Sequence, residues 1–180
     1  MAIRYIIKDM EGKKQKQNIY LTGFMTSGKS SVGLRLAAET DSPFVETDDL
    51  VCRKAGMTIP DIFEQAGEEA FRTLETQVLR DLVSQDGLIV SCGGGLPLKE
   101  ENRKLIRASG TIVLLTVHME TVLKRMGKEA RPLLDALSPE EIRSLMKARE
   151  KAYFSAYDIK LATDGRSIES LVAAILSRLV

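Results

Sequence analysis

Residues Gly23 to Ser30, read GFMTSGKS, bring two glycines, a lysine and a hydroxyl into one short stretch. The spacing is G-x-x-x-x-G-K-[ST], and each part has a physical reason. The glycines let the backbone wrap close enough for several N–H groups to point at phosphate oxygens. A helix starting at Lys29 presents its N-terminus to the same anion. The Lys29 ammonium would reach the outer phosphates, and the Ser30 hydroxyl would ligate Mg²⁺. The implied chemistry is binding of a nucleoside triphosphate, and the motif by itself names no acceptor.

Three more stretches could supply one. FVETDDL puts Glu46 and Asp48 at the end of an expected strand, two apart and therefore on one side of it. SCGGGLP sets Gly93, Gly94 and Gly95 straight after another strand, at the carboxyl edge where α/β sheets bind ligands. GKEARPLLD holds Arg131-Pro132 in a polar, poorly periodic segment between Gly127 and Ser138, the pattern of a mobile phosphate-clamping lid.

The elements that must position these residues follow from the apolar periodicity. Short, nearly continuous apolar runs at 18–22, 43–46, 88–92, 111–117 and 159–163 predict strands covered on both faces, with Lys160 marking 159–163 as an edge. Helical patterns occupy 29–40, 49–55, 59–65, 68–85, 100–108, 119–126, 139–156 and 167–179. Ser138-Pro139-Glu140-Glu141 is a helix start with a hydroxyl cap, Pro at the first position and acids in the first turn. The alternation predicts a three-layer α/β domain with a mainly parallel sheet.

At 180 residues the chain is one domain's worth, able to bury a core without disulfides or metals. With 26 Lys plus Arg against 25 Asp plus Glu, the net charge of +1 advertises no nucleic-acid or membrane partner. The basic excess is local: residues 1–17 carry five Lys/Arg against Asp9 and Glu11, and are expected to be an add-on without chemistry. Cys52 and Cys92 lie far apart and His118 is the single histidine, so a zinc site is not expected, and both thiols are read as buried and reduced. No apolar run approaches the ~18–20 residues that span a bilayer, and residues 1–17, without a long apolar centre or a small-residue cleavage site, are not expected to act as a signal peptide. A cytoplasmic monomer is the expectation.

Taken in order, GFMTSGKSSVG, ETDDLV, IFEQAGEEAFRTLE, SCGGG, ARPLL and LMKAREKAY resemble the shikimate kinase family, over roughly residues 18–180. The resemblance implies a phosphate-binding-loop fold of the nucleoside-monophosphate-kinase type, α/β/α with a five-stranded parallel sheet. It implies a substrate-binding region at about 46–75 and a lid at about 127–137. The implied reaction is ATP-dependent phosphorylation of the 3-hydroxyl of shikimate, a step toward chorismate and the aromatic amino acids, with Mg²⁺ as cofactor. Carried over residue by residue, Asp48 would hold and help deprotonate that hydroxyl. Arg72 and Arg149 would grip the substrate carboxylate, and Gly94 would offer its backbone N–H. Thr26, Ser27, Gly28, Lys29, Ser30 and Ser31 would bind ATP, and Ser30 and Glu46 would serve the metal. Arg131 would close on the phosphates, and Arg125, with Arg166 as second candidate, would flank adenine. Glu75, one turn after Arg72, is read as a neighbour that orients it.

The chain departs from the family pattern at three places: Glu46 stands where aspartate is usual, Thr26 where glycine is common and Ser31 where threonine is. Alternatives to this reading are another small-molecule kinase, gluconate kinase-like, with different acceptor residues, and a nucleotide-binding switch or catalytically weak relative. A guanine-specific switch would carry N-K-x-D, which the sequence lacks.

Overall fold

Five parallel strands form the centre of the computed structural model, which describes residues 17–126 and 137–179. They are β1 (Asn18–Thr22), β2 (Phe44–Glu46), β3 (Ile89–Ser91), β4 (Gly110–Thr116) and β5 (Ile159–Ala162). Their order across the sheet is β2-β3-β1-β4-β5, with every neighbouring pair parallel. Among the described residues the helices are α1 (Lys29–Thr40), α2 (Thr47–Ala55), α3 (Ile59–Leu82), α4 (Glu100–Ser109), α5 (Met119–Met126), α6 (Pro139–Phe154) and α7 (Ile168–Leu176). This is the α/β/α arrangement that the resemblance implies.

The layers follow from strand alternation. On β1, Ile19 and Leu21 join a core with Val32 and Leu36 of α1 and Leu171, Val172 and Ile175 of α7. Tyr20, between them, points to the opposite core, with Val51, Ile62, Phe71, Leu79 and Ile106 from α2, α3 and α4. β1 pairs on both sides and is covered on both faces, so all five of its residues are buried. At the far edge, β5 buries Ile159 and Leu161 but exposes Lys160 between them, a charge that blunts the open edge.

Two helix starts show why the breaks fall where they do. Thr58 and Ser138 each accept a hydrogen bond from the backbone N–H three residues on, and Asp61 and Glu141 reach back in reciprocal capping boxes, with Pro60 and Pro139 in the first turn. The helical patterns at 59–65 and 68–85 form one element, α3, broken by Gly67 at φ 79°, a left-handed backbone that glycine adopts without penalty. A short 3₁₀ turn at Leu96–Leu98, which the periodicity does not signal, closes the glycine run.

Because all five strands run the same way, their carboxyl ends share one edge. Gly23 follows β1, Glu46 ends β2, and Gly93 comes two residues after β3, on the three strands that are neighbours. The sequence positions singled out for chemistry are gathered there by topology. Residues 1–16 of the basic extension and 127–136 of the expected lid, Arg131 included, lie outside the described residues.

Candidate active site

The phosphate loop is built by close backbone approach. A Cβ on Gly23 would sit 2.2 Å from the Leu115 carbonyl oxygen of β4, so only a glycine lets the loop leave β1 there. Gly28 takes φ 88° as the cap of α1, turning the chain so that the helix begins at Lys29. Lys29 Nζ donates to the carbonyl oxygens of Gly23 and Phe24 at 3.0 Å each, which folds the ammonium back over the loop. Thr26, in the place where glycine is common, holds φ 64° despite its β-branch. The hydroxyls of Thr26 and Ser27 are buried without a hydrogen-bond partner, two donors in a loop that phosphate oxygens could satisfy. Arg125 Nη1 donates to the Thr26 carbonyl at 2.7 Å and so brings α5 against the loop. Ser30 and Ser31 are exposed on the first turn of α1. Arg166 donates to the Ser170 carbonyl at 2.8 Å, within the start of α7.

The acidic pair corrects one expectation. Glu46 is the last residue of β2 and the cap of α2, and Asp48 sits in the first turn of that helix, so strand alternation does not place them on one side. They remain close enough for Glu46 to raise the Asp48 pKa. Burial is the larger cause of that rise, opposed by the nearby Lys29 ammonium. Asp48 Oδ1 is buried with no donor among the described residues. An acid held in this way is a better proton acceptor than an ordinary aspartate. Asp49 is exposed.

The glycine run meets three side chains in order. A Cβ on Gly93 would lie 2.1 Å from Asp48 Oδ1, one on Gly94 would lie 3.3 Å from Arg149 Nη1, and one on Gly95 would lie 1.9 Å from Arg72 Nη1. Residues from α2, α6 and α3 thus converge on three consecutive backbone positions. Arg72 is braced by Glu75 Oε2 at 2.7 Å and Glu68 Oε1 at 2.8 Å, and lies over the Phe71 ring. Glu75 is 1% exposed, and burial pushes its carboxyl up to about 7 against the pull of Arg72. Arg149 sits 5.8 Å from the centroid of the Phe24 ring, so the phosphate loop and the cation cluster share a wall. Two fixed guanidinium groups beside an unpaired acid suit a small hydroxylated carboxylate.

A family model for shikimate kinase matches residues 25–180. The chain belongs to the shikimate kinase family. A shikimate kinase of Geobacter sulfurreducens is 43% identical over 161 residues, covering 88% of each chain, and one of Thermus thermophilus is 41% identical over 164 residues, covering 89% of each. Among solved structures, shikimate kinase from Acinetobacter baumannii in complex with shikimate superposes with a TM-score of 0.85 at 37% identity, covering 91% of this chain and 93% of that one.

Against the shikimate kinase pattern, the structure brings together Lys29, Asp48, Arg72, Gly94, Arg149 and Arg125, while the Arg166 side chain bonds the Ser170 carbonyl. Gly93 and Gly95 are singled out by the sequence only as members of the glycine run, with no role of their own, although their Cβ positions are more crowded than that of Gly94. Tyr153 was also missed; its position four residues after Arg149, on the same helix face, was the available signal. His118 is not a packed residue: its side chain is 77% exposed, while its backbone N–H donates to the Asp164 carboxylate and its carbonyl accepts from the Thr121 and Val122 N–H groups at the start of α5. Cys92 is buried as expected and its thiol is pushed up to about 12, whereas Cys52 is half-buried.

Proposed function

We propose that this chain transfers the terminal phosphoryl group of ATP to the 3-hydroxyl of shikimate, a step toward chorismate and the aromatic amino acids. The observation that carries the reading is the ordered approach of Asp48, Arg149 and Arg72 to Gly93, Gly94 and Gly95, beside the Lys29 loop. Arg72 and Arg149 hold the substrate carboxylate, which fixes the ring and turns the reacting hydroxyl toward Asp48. Asp48 accepts the proton as the oxygen attacks. Lys29 exchanges its loop carbonyls for phosphate oxygens and neutralises the charge that develops on the transferring group. Thr26, Ser27, Gly28, Ser30 and Ser31 line the triphosphate, with Arg125 at its rim. Arg131 takes the clamping role on the strength of the family resemblance alone.

Magnesium fits the donor set. It prefers oxygen ligands and keeps several waters, and here the Ser30 hydroxyl and the Glu46 carboxylate would hold it, Glu46 through its longer arm or a water. When bound, it supplies charge neutralisation between the outer phosphates. Among the described residues no group of three or more His, Cys, Asp or Glu could hold a metal by itself, in keeping with an ion shared with the nucleotide. We take a monomer as the working unit. No helix among the described residues is long and apolar enough to cross a membrane, and we place the enzyme in the cytoplasm. A coupled ADP-release assay with shikimate, gluconate and nucleoside monophosphates side by side tests the proposal. Turnover confined to shikimate is expected; equal or better turnover with gluconate would favour the gluconate kinase-like alternative.

A further inference from the structure

The loop from Cys92 to Leu98 is held peptide by peptide. The Gly93 N–H donates to Thr47 Oγ1 at 2.7 Å. The Gly93 carbonyl accepts from the Leu96 N–H at 3.0 Å, and the Gly95 carbonyl accepts from the Leu98 N–H at 3.0 Å. The peptide between Gly94 and Gly95 is the link that these bonds leave out. Its carbonyl is held by a side chain: Tyr153 Oη donates to Gly94 O at 2.6 Å.

That peptide is the one most able to turn over. Flipping it rotates ψ of Gly94 and φ of Gly95, and neither residue has a Cβ to resist. Because the peptide is planar and trans, fixing the Gly94 carbonyl also fixes the Gly95 N–H on the opposite side. A flipped peptide would turn the negative end of its dipole away from Tyr153, into a region lined by Arg72 and Arg149 and meant for an anion. We propose that Tyr153 is a positioning residue for the acceptor site, its hydroxyl locking the Gly94–Gly95 peptide in the orientation that receives the substrate carboxylate.

Tyr153 is well placed to hold this lock. It lies one turn after Arg149 on α6 and packs its ring in one cluster with Phe24 of the phosphate loop. The lock therefore ties together the glycine run, the second cation and the nucleotide loop. Burial pushes the phenol up to about 12, so the hydroxyl stays protonated, and remains a donor, across ordinary assay conditions.

The inference rests on shikimate as the acceptor, and the test separates the two. Tyr153→Phe is compared with Tyr20→Phe, which removes a hydroxyl bonded to Ser109 Oγ and Asn18 Nδ2 in the core, away from the site. Both are assayed at a temperature where circular dichroism shows them folded. Tyr153→Phe should raise KM for shikimate about fivefold, the factor that one neutral hydrogen bond represents. KM for ATP should stay unchanged, kcat should move by less than about twofold, and the Gly95 amide resonance of the ligand-free protein should shift or broaden. Tyr20→Phe should lower Tm and leave KM alone. Because the same hydroxyl also bonds the Arg149 side chain, a raised KM alone could report that cation; an unchanged Gly95 resonance therefore overturns the lock whatever the KM, as does a Tyr153→Phe protein that folds at no temperature. A wild-type protein without turnover on shikimate would sink the acceptor assignment instead, and the Gly95 resonance would still decide the lock.

Discussion

Replacing each glycine of the 93–95 run with alanine should produce three different kinetic defects, because each Cβ meets a different side chain. At Gly93 the new carbon would sit 2.1 Å from Asp48 Oδ1 and 3.0 Å from its Cγ, where ordinary contact begins at 3.4 Å. The carboxylate must therefore retreat by about 1 Å, the scale at which misplacement costs ~10²-fold in rate. Gly93→Ala should lose about that factor in kcat, with ATP affinity intact. At Gly95 the carbon would overlap Arg72 Nη1, the far end of a long side chain, so the fold should tolerate the change. The displaced cation should raise KM for shikimate by at least ~30-fold, the lower end of the ~2–5 kcal/mol that a desolvated charge pair represents. At Gly94 the nearest atom is 3.3 Å away, and Gly94→Ala should be the mildest of the three. Steady-state kinetics on shikimate and on ATP, with thermal melts to show that each variant is folded, reads all three. If Gly94→Ala proved the most damaging, or if Gly93→Ala acted on KM and spared kcat, the assignment of Asp48 and Arg72 to separate tasks would be wrong.

Lys29→Ala should lower kcat by at least ~10²–10³, because water cannot replace a preorganised cation at the transferring phosphoryl; a variant retaining a tenth of wild-type kcat would refute the loop assignment. Asp48→Asn should cost ~10²–10⁴ in kcat while ATP still binds by calorimetry. Asp48 must be ionised to accept a proton, so activity should fall as pH drops through its pKa, and burial places that acid limb above the ordinary carboxylate range; a pH–rate profile with no such limb in the wild type contradicts the role. Arg72→Ala and Arg149→Ala should each weaken shikimate binding by ~2–5 kcal/mol and ATP binding far less, which titration calorimetry separates. Thr26→Gly should relieve a β-branched residue at φ 64°, a strain of ~1–2 kcal/mol offset by ~0.4–1 kcal/mol of added unfolded-state freedom. Tm should rise by about 2 °C, and a fall would show that the Thr26 side chain stabilises the loop.

What the sequence made legible was local. The phosphate loop lies in eight consecutive residues, and its glycines, lysine and hydroxyl keep their meaning whatever surrounds them. The strands were legible because each is a short apolar run, and Lys160 announced an edge because a charge between two buried residues has to face solvent. The helix start at Ser138 was written in its capping box. The Glu46–Asp48 geometry was misread because the switch from strand to helix falls between them, and a single-residue boundary carries no periodicity to detect it. Arg72 and Arg149 come from helices far apart in the chain, and periodicity alone makes them solvated charges; their meeting at the glycine run is a tertiary fact. The Tyr153 hydroxyl bond spans 59 residues, and no local pattern could assign its partner.

The most direct test of the account is the position of the new phosphate. Wild-type protein is incubated with ATP, magnesium and shikimate, and the product is examined by ³¹P–¹H correlation. The account predicts one phosphomonoester signal coupled to the proton on the carbon that bears the 3-hydroxyl, formed as ADP is released. Release of ADP with inorganic phosphate alone, or a phosphorus coupled to another ring position, would contradict it.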